Sequence, residues 1–201
     1  MEKQYFEPNR NNKNNYMLDT SAYNYIARKP ELLDVLKQST AYGFCYYSTA
    51  IQDRELAGKG AKTYNRECEP VRKKTMSPEL IKKFDSIDRE LNIILFPEVA
   101  VVMKNHTRVD GTNRFISEKS LSRIVFEEII KNNDKESDMP YEYNYDAIIA
   151  EASVYYECTL VSNDRKQRNA VNLHVSNGAI TVDELLKVIS EVKEQGEADT
   201  P

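Results

Sequence analysis

Four acidic residues stand where a carboxylate could do chemistry: Asp19, Glu55, Asp146 and Asp164. Asp19 follows the β-type run Tyr16-Met17-Leu18. Asp164 closes Thr159-Leu160-Val161-Ser162-Asn163-Asp164, and Asp146 heads the apolar, helix-like run that leads into that strand. Acids brought together raise one another's proton affinity unless a cation is present. An oxygen-only donor set suits a hard divalent ion, Mg²⁺ or Mn²⁺. His106 and His174 are isolated in the sequence, so no Cys/His zinc cluster is suggested. Each acid alone has a plainer reading: Asp19 and Asp146 as helix caps, Glu55 as a surface acid. Asp53, only two residues from Glu55, points elsewhere on a helix and is the alternative to it. Glu151 is expected on the surface.

The elements around these acids read as α/β units. A strand at Tyr16–Leu18 runs into a helix from Ser21 to about Arg28, with Thr20 or Ser21 as N-cap and Pro30 just beyond. Residues 31–37 suit a short helix, and the aromatic stretch Tyr42–Ser48 a second strand. Ser48 or Thr49 caps a helix carrying Asp53 and Glu55. Ser77-Pro78-Glu79 opens another, with Met76, Leu80, Ile81, Phe84, Ile87 and Leu91 at helical spacing. Leu91–Phe96 suits a third strand, Val109–Asn113 a turn, and Ser120 a helix start. Beyond Asp164, Val171–Val175 is expected as a strand, and Thr181-Val182-Asp183-Glu184 as a capping box opening a last helix to about Val192. A strand ending in an acid matters because ligands of open α/β sheets collect beyond the carboxyl ends of the strands. Two such acids far apart in sequence meet only if their strands are neighbours.

A chain of 201 residues, 40% hydrophobic and 30% charged, can bury one domain. The expected division is a tail at 1–15, a domain at 16–192 with an inserted segment around 59–140, and a tail at 193–201. The longest apolar run is broken by Pro97-Glu98, and the first residues have no apolar signal region, so neither a membrane nor secretion is expected. Cys45, Cys68 and Cys158 form no close pair, which fits reduced thiols in the cytoplasm. A net charge of −4 argues against coating nucleic acid by bulk electrostatics but leaves room for local basic patches. The densest such run is Lys59, Lys62, Arg66, Arg72, Lys73, Lys74, Lys82 and Lys83. Its ordinary reading is a solvated face; in a nuclease it would touch phosphate.

Four stretches together resemble the PIN-domain family of metal-dependent ribonucleases: Leu18-Asp19-Thr20-Ser21, Arg54-Glu55-Leu56-Ala57-Gly58, Asp146-Ala147-Ile148-Ile149-Ala150-Glu151-Ala152, and Leu160-Val161-Ser162-Asn163-Asp164-Arg165. The matching regions cover roughly 16–58 and 141–190, and the second half is the more specific. The resemblance implies a three-layer α/β sandwich with a mainly parallel central sheet. It also implies that the four acids converge at the carboxyl edge of the sheet, bind Mg²⁺ or Mn²⁺, and support hydrolysis of RNA by a metal-activated water. Asp19 and Asp164 are then the direct ligands, with Asp146 a ligand directly or through water. Glu55 positions or deprotonates the attacking water. Thr20, Ser21, Ser162 and Asn163 orient the acids or touch phosphate. Where many family members carry a further acid, this chain has Arg165, Lys166 and Arg168, which suit a phosphate clamp better than a second metal.

RNA is the expected substrate, and an antitoxin protein or a second copy of the chain are candidate partners, since the family includes toxins of toxin–antitoxin pairs. The extra length between Glu55 and Asp146 weakens the toxin assignment. The alternative is a PIN-like RNA-binding or assembly module that does not cut. Tyr141, Tyr143 and Tyr145 could stack on bases, but tyrosine is common throughout the chain and packing in the core or on the surface is the expected role. A phosphoaspartate enzyme built on Asp19 fits less well. No second aspartate stands near Asp19, and with 6 glycines the chain has no phosphate-cradling loop.

Overall fold

Asn15, Tyr16, Met17 and Leu18 are buried on both faces of a strand that lies at the centre of the sheet. The computed structural model describes residues 8, 12–57, 63–64, 70–71, 76–96, 119–134 and 145–198. Lys59, Lys62, Arg66, Arg72, Lys73, Lys74, Tyr141, Tyr143, His106 and the Val109–Asn113 turn lie outside them.

In chain order the elements are β1 (Asn15–Leu18), α1 (Thr20–Arg28), α2 (Glu31–Ser39), β2 (Cys45–Thr49), α3 (Ala50–Leu56), β3 (Thr63–Tyr64), β4 (Pro70–Val71), α4 (Pro78–Glu90), β5 (Ile94–Phe96), α5 (Leu121–Asp134), α6 (Tyr145–Tyr155), β6 (Thr159–Val161), α7 (Arg165–His174), β7 (Ala179–Ile180) and α8 (Val182–Ala198). Five strands form one parallel sheet in the order β5-β2-β1-β6-β7. Strands β3 and β4 make a separate antiparallel ribbon.

Alternation along each strand divides the core into two layers. Met17, Tyr47 and Leu160 face the layer holding buried residues of α5, α6 and α7. Tyr16, Leu18, Tyr46 and Val161 face the layer of α1, α2, α4 and α8. The result is a three-layer α/β sandwich. The chain winds from β1 through β2 to β5 with helices on one face. It then crosses to β6 and β7 with helices on the other, as a single crossover handedness requires. Phe96 anchors the edge, fully buried, with its ring stacked 4.6 Å from Tyr47 and 4.0 Å from Tyr156. A buried aromatic of this kind contributes about 3–5 kcal/mol.

Inside the stretch around 59–140, the expected helices and third strand are present as α4, β5 and α5, which pack into the sheet and its layers. Other elements differ from expectation. Val171–Val175 is not a strand: α7 runs to His174 and Val175 is its extended C-cap. Its buried residues Gln167, Ala170 and Val171 recur at helical spacing. The strand is instead Ala179–Ile180, too short for a visible alternation. Asp19, not Thr20 or Ser21, caps α1 by accepting from Ala22 N. The capping box at Thr181 is present: Glu184 Oε2 accepts from Thr181 N at 2.7 Å and Thr181 Oγ1 accepts from Glu184 N at 3.1 Å. Helix α8 continues to Ala198, past the expected end.

Between α2 and β2 the chain turns at Gly43, whose φ of 82° lies in the left-handed region. A Cβ there would meet nothing within 4 Å, so substitution costs backbone strain alone. Gly43→Ala is expected to lower unfolding free energy by about 1 kcal/mol in urea titrations, without changing the fold.

Candidate active site at the carboxyl edge of the sheet

β1 is paired with β2 on one side and β6 on the other, so the direction of winding reverses between β1 and β6. Crevices at such reversals, beyond the carboxyl ends of the strands, are the usual ligand sites of this fold class. Asp19 leaves β1 and Ser162-Asn163-Asp164 leaves β6, both at that point. Asp19 N donates to Val161 O at 3.0 Å, which extends the β1–β6 pairing by one residue.

Asp19 is 2% exposed. Its Oδ1 accepts from Ala22 N at 2.7 Å and Ser21 Oγ at 2.8 Å. Its Oδ2 accepts from Ser162 Oγ at 2.7 Å and Ser21 Oγ at 2.9 Å. Burial raises the proton affinity of this carboxyl group and the nearby Asp164 adds to the rise, while the donors from Ser162, Ala22 and Ser21 oppose it. Ser162 Oγ also accepts from Asp164 N at 3.0 Å, so one hydroxyl ties the two aspartates together. Asn163 N donates to Ser21 Oγ at 2.7 Å, and Asn163 Oδ1 accepts from Val182 N at 3.3 Å. The β6 loop is thereby bracketed between α1 and α8.

Asp164 is exposed and is the N-cap of α7, accepting from Lys166 N at 2.7 Å and Gln167 N at 3.1 Å. Asp146 is exposed in the first turn of α6. Both aspartates line a small pocket of about 30 Å³ with Ile129, Asn132, Lys166 and Gln167, enough to hold ordered water. Glu55 reaches the same edge from α3, where Thr20 Oγ1 donates to its Oε2 at 2.9 Å. Asp53, on the same helix, acts electrostatically on Tyr23 instead.

The four acids therefore share one edge of the sheet but do not form one cluster. Among the described residues, no three His, Cys, Asp or Glu side chains come together as a group that could hold a metal ion. Asp146 and Asp164 share a pocket, Asp19 sits beneath Asp164, and Glu55 is held at Thr20. Of the basic residues, Arg165 and Lys166 are exposed at the start of α7. Arg168 Nη1 donates to Ser162 O at 2.8 Å and so supports the loop.

Two residues escaped the sequence reading. Gln167 is 2% exposed, and its Nε2 donates to Asp146 O at 2.9 Å. At the third position of a helix a Gln commonly reaches back to the N-cap amide. Here Ser162 Oγ already takes that amide, which leaves the Gln167 side chain to bridge α7 to α6. Its spacing of three from Asp164 was the available signal. Glu151, expected on the surface, is fully buried in α6, and neither of its side-chain oxygens has a hydrogen-bond partner. Burial pushes its carboxyl group up to about 8; Arg123 opposes the shift and Glu127 adds to it.

Fold and site together define a doubly wound parallel α/β protein with an acidic carboxyl edge. No family model matches the sequence, and no curated protein matches it. Among solved structures, the chain is similar to the crystal structure of PAE2754 from Pyrobaculum aerophilum. That likeness has 13% identity and a TM-score of 0.47, and it covers 94% of this chain and 98% of the other. No helix among the described residues is long and apolar enough to cross a membrane.

Proposed function

We propose that this protein is a divalent-metal-dependent endoribonuclease that hydrolyses RNA phosphodiester bonds at the Asp19–Asp164 edge. The observation that carries the reading is the placement of Asp19, Asp146 and Asp164, distant in sequence, around the winding reversal of a parallel sheet. The RNA substrate, and an antitoxin protein as partner, come from the motif resemblance.

The donor chemistry fits Mg²⁺ or Mn²⁺. Such ions keep several waters and need only one or two protein carboxylates, so the pocket shared by Asp146 and Asp164 is an adequate anchor without a full protein cage. When bound, the ion supplies Lewis-acid polarisation of the phosphate and a more acidic water. The chain's own residues do the rest. Asp146 and Asp164 hold the ion. In this arrangement all lone pairs of Asp19 are engaged by Ser21, Ser162 and Ala22. Asp19 contributes negative charge beneath Asp164, and becomes a direct ligand only when a serine hydroxyl turns away. Glu55, positioned by Thr20, accepts a proton from an attacking water. Arg165 and Lys166 at the N-terminus of α7 attract the phosphate backbone.

The test is cleavage of a mixed, structured RNA pool with Mn²⁺, Mg²⁺ or EDTA. Cutting with either metal and none with EDTA is expected. RNA binding without cutting under all three conditions would instead identify a non-cleaving RNA-binding module.

A further inference from the structure

Gln167 ties the two pocket aspartates together from both ends: its backbone N–H donates to Asp164 Oδ1 and its side-chain NH₂ to the Asp146 carbonyl. The second bond settles which end of the amide is which, leaving Oε1 as the free end. That oxygen is buried and has no hydrogen-bond partner. Leaving a buried acceptor unpaired costs roughly 1–3 kcal/mol. Gln167 itself stands in the wall of the pocket that Asp146 and Asp164 line. A buried oxygen with nothing to accept from, on a residue that lines a pocket with two aspartates, lacks the donor that would satisfy it.

We infer that Gln167 is a positioning residue of the metal site, its Oε1 accepting from a water in the coordination shell of an ion held by Asp146 and Asp164. The inference rests on the metal-dependent reading above and deepens it: two anionic oxygen donors, with one neutral acceptor for a bound water, favour a hard dication that keeps its hydration. Lys166, also in the pocket wall, places a positive charge at the rim. Gln167 thus acts on the ion through its water and on Asp146 through the α6 backbone.

The experiment is Mn²⁺ titration of the full chain followed by electron paramagnetic resonance, which needs no substrate, for wild type, Gln167→Met and Gln167→Glu. Both variants lose the donor to the Asp146 carbonyl, but only Met loses the oxygen. Gln167→Met is expected to weaken Mn²⁺ binding by about 10–100-fold. Gln167→Glu, keeping an oxygen there, is expected to bind at least as tightly as wild type. A purely structural role predicts that the two variants behave alike, so equal affinities overturn the inference. Should the Met variant fail to fold, the Glu variant decides alone: binding weakened along with thermal stability overturns the proposal, and retained binding with lowered stability supports it. If wild type itself binds no Mn²⁺, the metal-dependent reading fails and this inference falls with it. If wild type binds and Gln167→Met is unchanged, only the role of Gln167 falls.

Discussion

Asp164→Asn is expected to lower metal-dependent RNA cleavage by about 10³-fold while leaving the protein folded. The separation is possible because the N-cap role of Asp164 and its proposed role as an ion ligand have different requirements. As N-cap of α7 it needs only an oxygen that accepts from Lys166 N and Gln167 N, and asparagine caps as well as aspartate. As an ion ligand it needs its charge, which asparagine lacks. Asp164→Ala removes both and should lose about 1 kcal/mol of stability in addition. Single-turnover cleavage beside thermal melts resolves the two effects. A cleavage rate for Asp164→Asn within a few-fold of wild type would remove Asp164 from the reaction. Because Asp164 is exposed, loss of activity in a variant with an unchanged melt cannot be assigned to a damaged core.

The second large effect concerns Glu151, buried in α6. In the folded state its carboxyl group is raised to about 8 against an ordinary value of 4.5, with burial the main cause. Below pH 4.5 both folded and unfolded chains carry it protonated, and it imposes no ionisation penalty. Between pH 4.5 and 8 the unfolded chain releases the proton while the folded chain keeps it, so stability falls as pH rises and levels off above 8. The total loss is on the order of 3–5 kcal/mol. Glu151→Gln should remove this slope, so that the variant gains on wild type from pH 5 to about pH 8 and keeps that advantage at pH 9. Glu151→Met should be the more stable of the two, since neither oxygen of Glu151 has a partner and an apolar side chain leaves nothing unsatisfied. Urea unfolding at pH 5, 7 and 9 measures this, with the difference between wild type and variant cancelling all other titrating groups. Parallel curves for wild type and Glu151→Gln would refute it.

The same residue shows where the sequence stops being legible. Helix α6 packs against the sheet and against its neighbours α5 and α7, and Ala147, Ile149, Ala150, Glu151, Ala152 and Ser153 are all buried. With inward positions on nearly every side, the helix has no polar stripe for Glu151 to occupy, so its charge was a poor guide to its direction. Where an apolar run ends in a capping residue, the reading was far more secure. β2 into Thr49 and Ser77 into Pro78 could be located, because a side-chain oxygen at a helix start has a local job visible in the sequence. At Asp19 and Asp164 the strand end was legible but the helix start was not: Thr20 or Ser21 was expected as the cap of α1, and α7 was not expected at all. β7 has only two residues and no local signature. It exists because β6 offers Leu160 and Val161 an open edge at Ala179 and Ile180. Gln167 was missed for a third reason: its direction depends on Ser162 having taken the amide it would otherwise reach.

The hydrogen-bonded bracket of Asp19, Ser21, Ser162 and Asn163 also dictates when the edge can exist during synthesis. Its two halves are separated by more than 140 positions, as the Ser162–Asp19 bond records. A ribosome-bound chain that has released α1, α2 and β2 carries Asp19 with β1 paired on one side only. The other half of the crevice, with Asp146, Asp164 and the start of α7 that completes their pocket, follows only after β5 and α5. Contacts of such long sequence separation close late in folding. The acidic edge is thus absent from the nascent chain until β6 and the start of α7 have left the ribosome, long after β1 and β2, and a nascent chain surrounded by RNA would until then carry no assembled site.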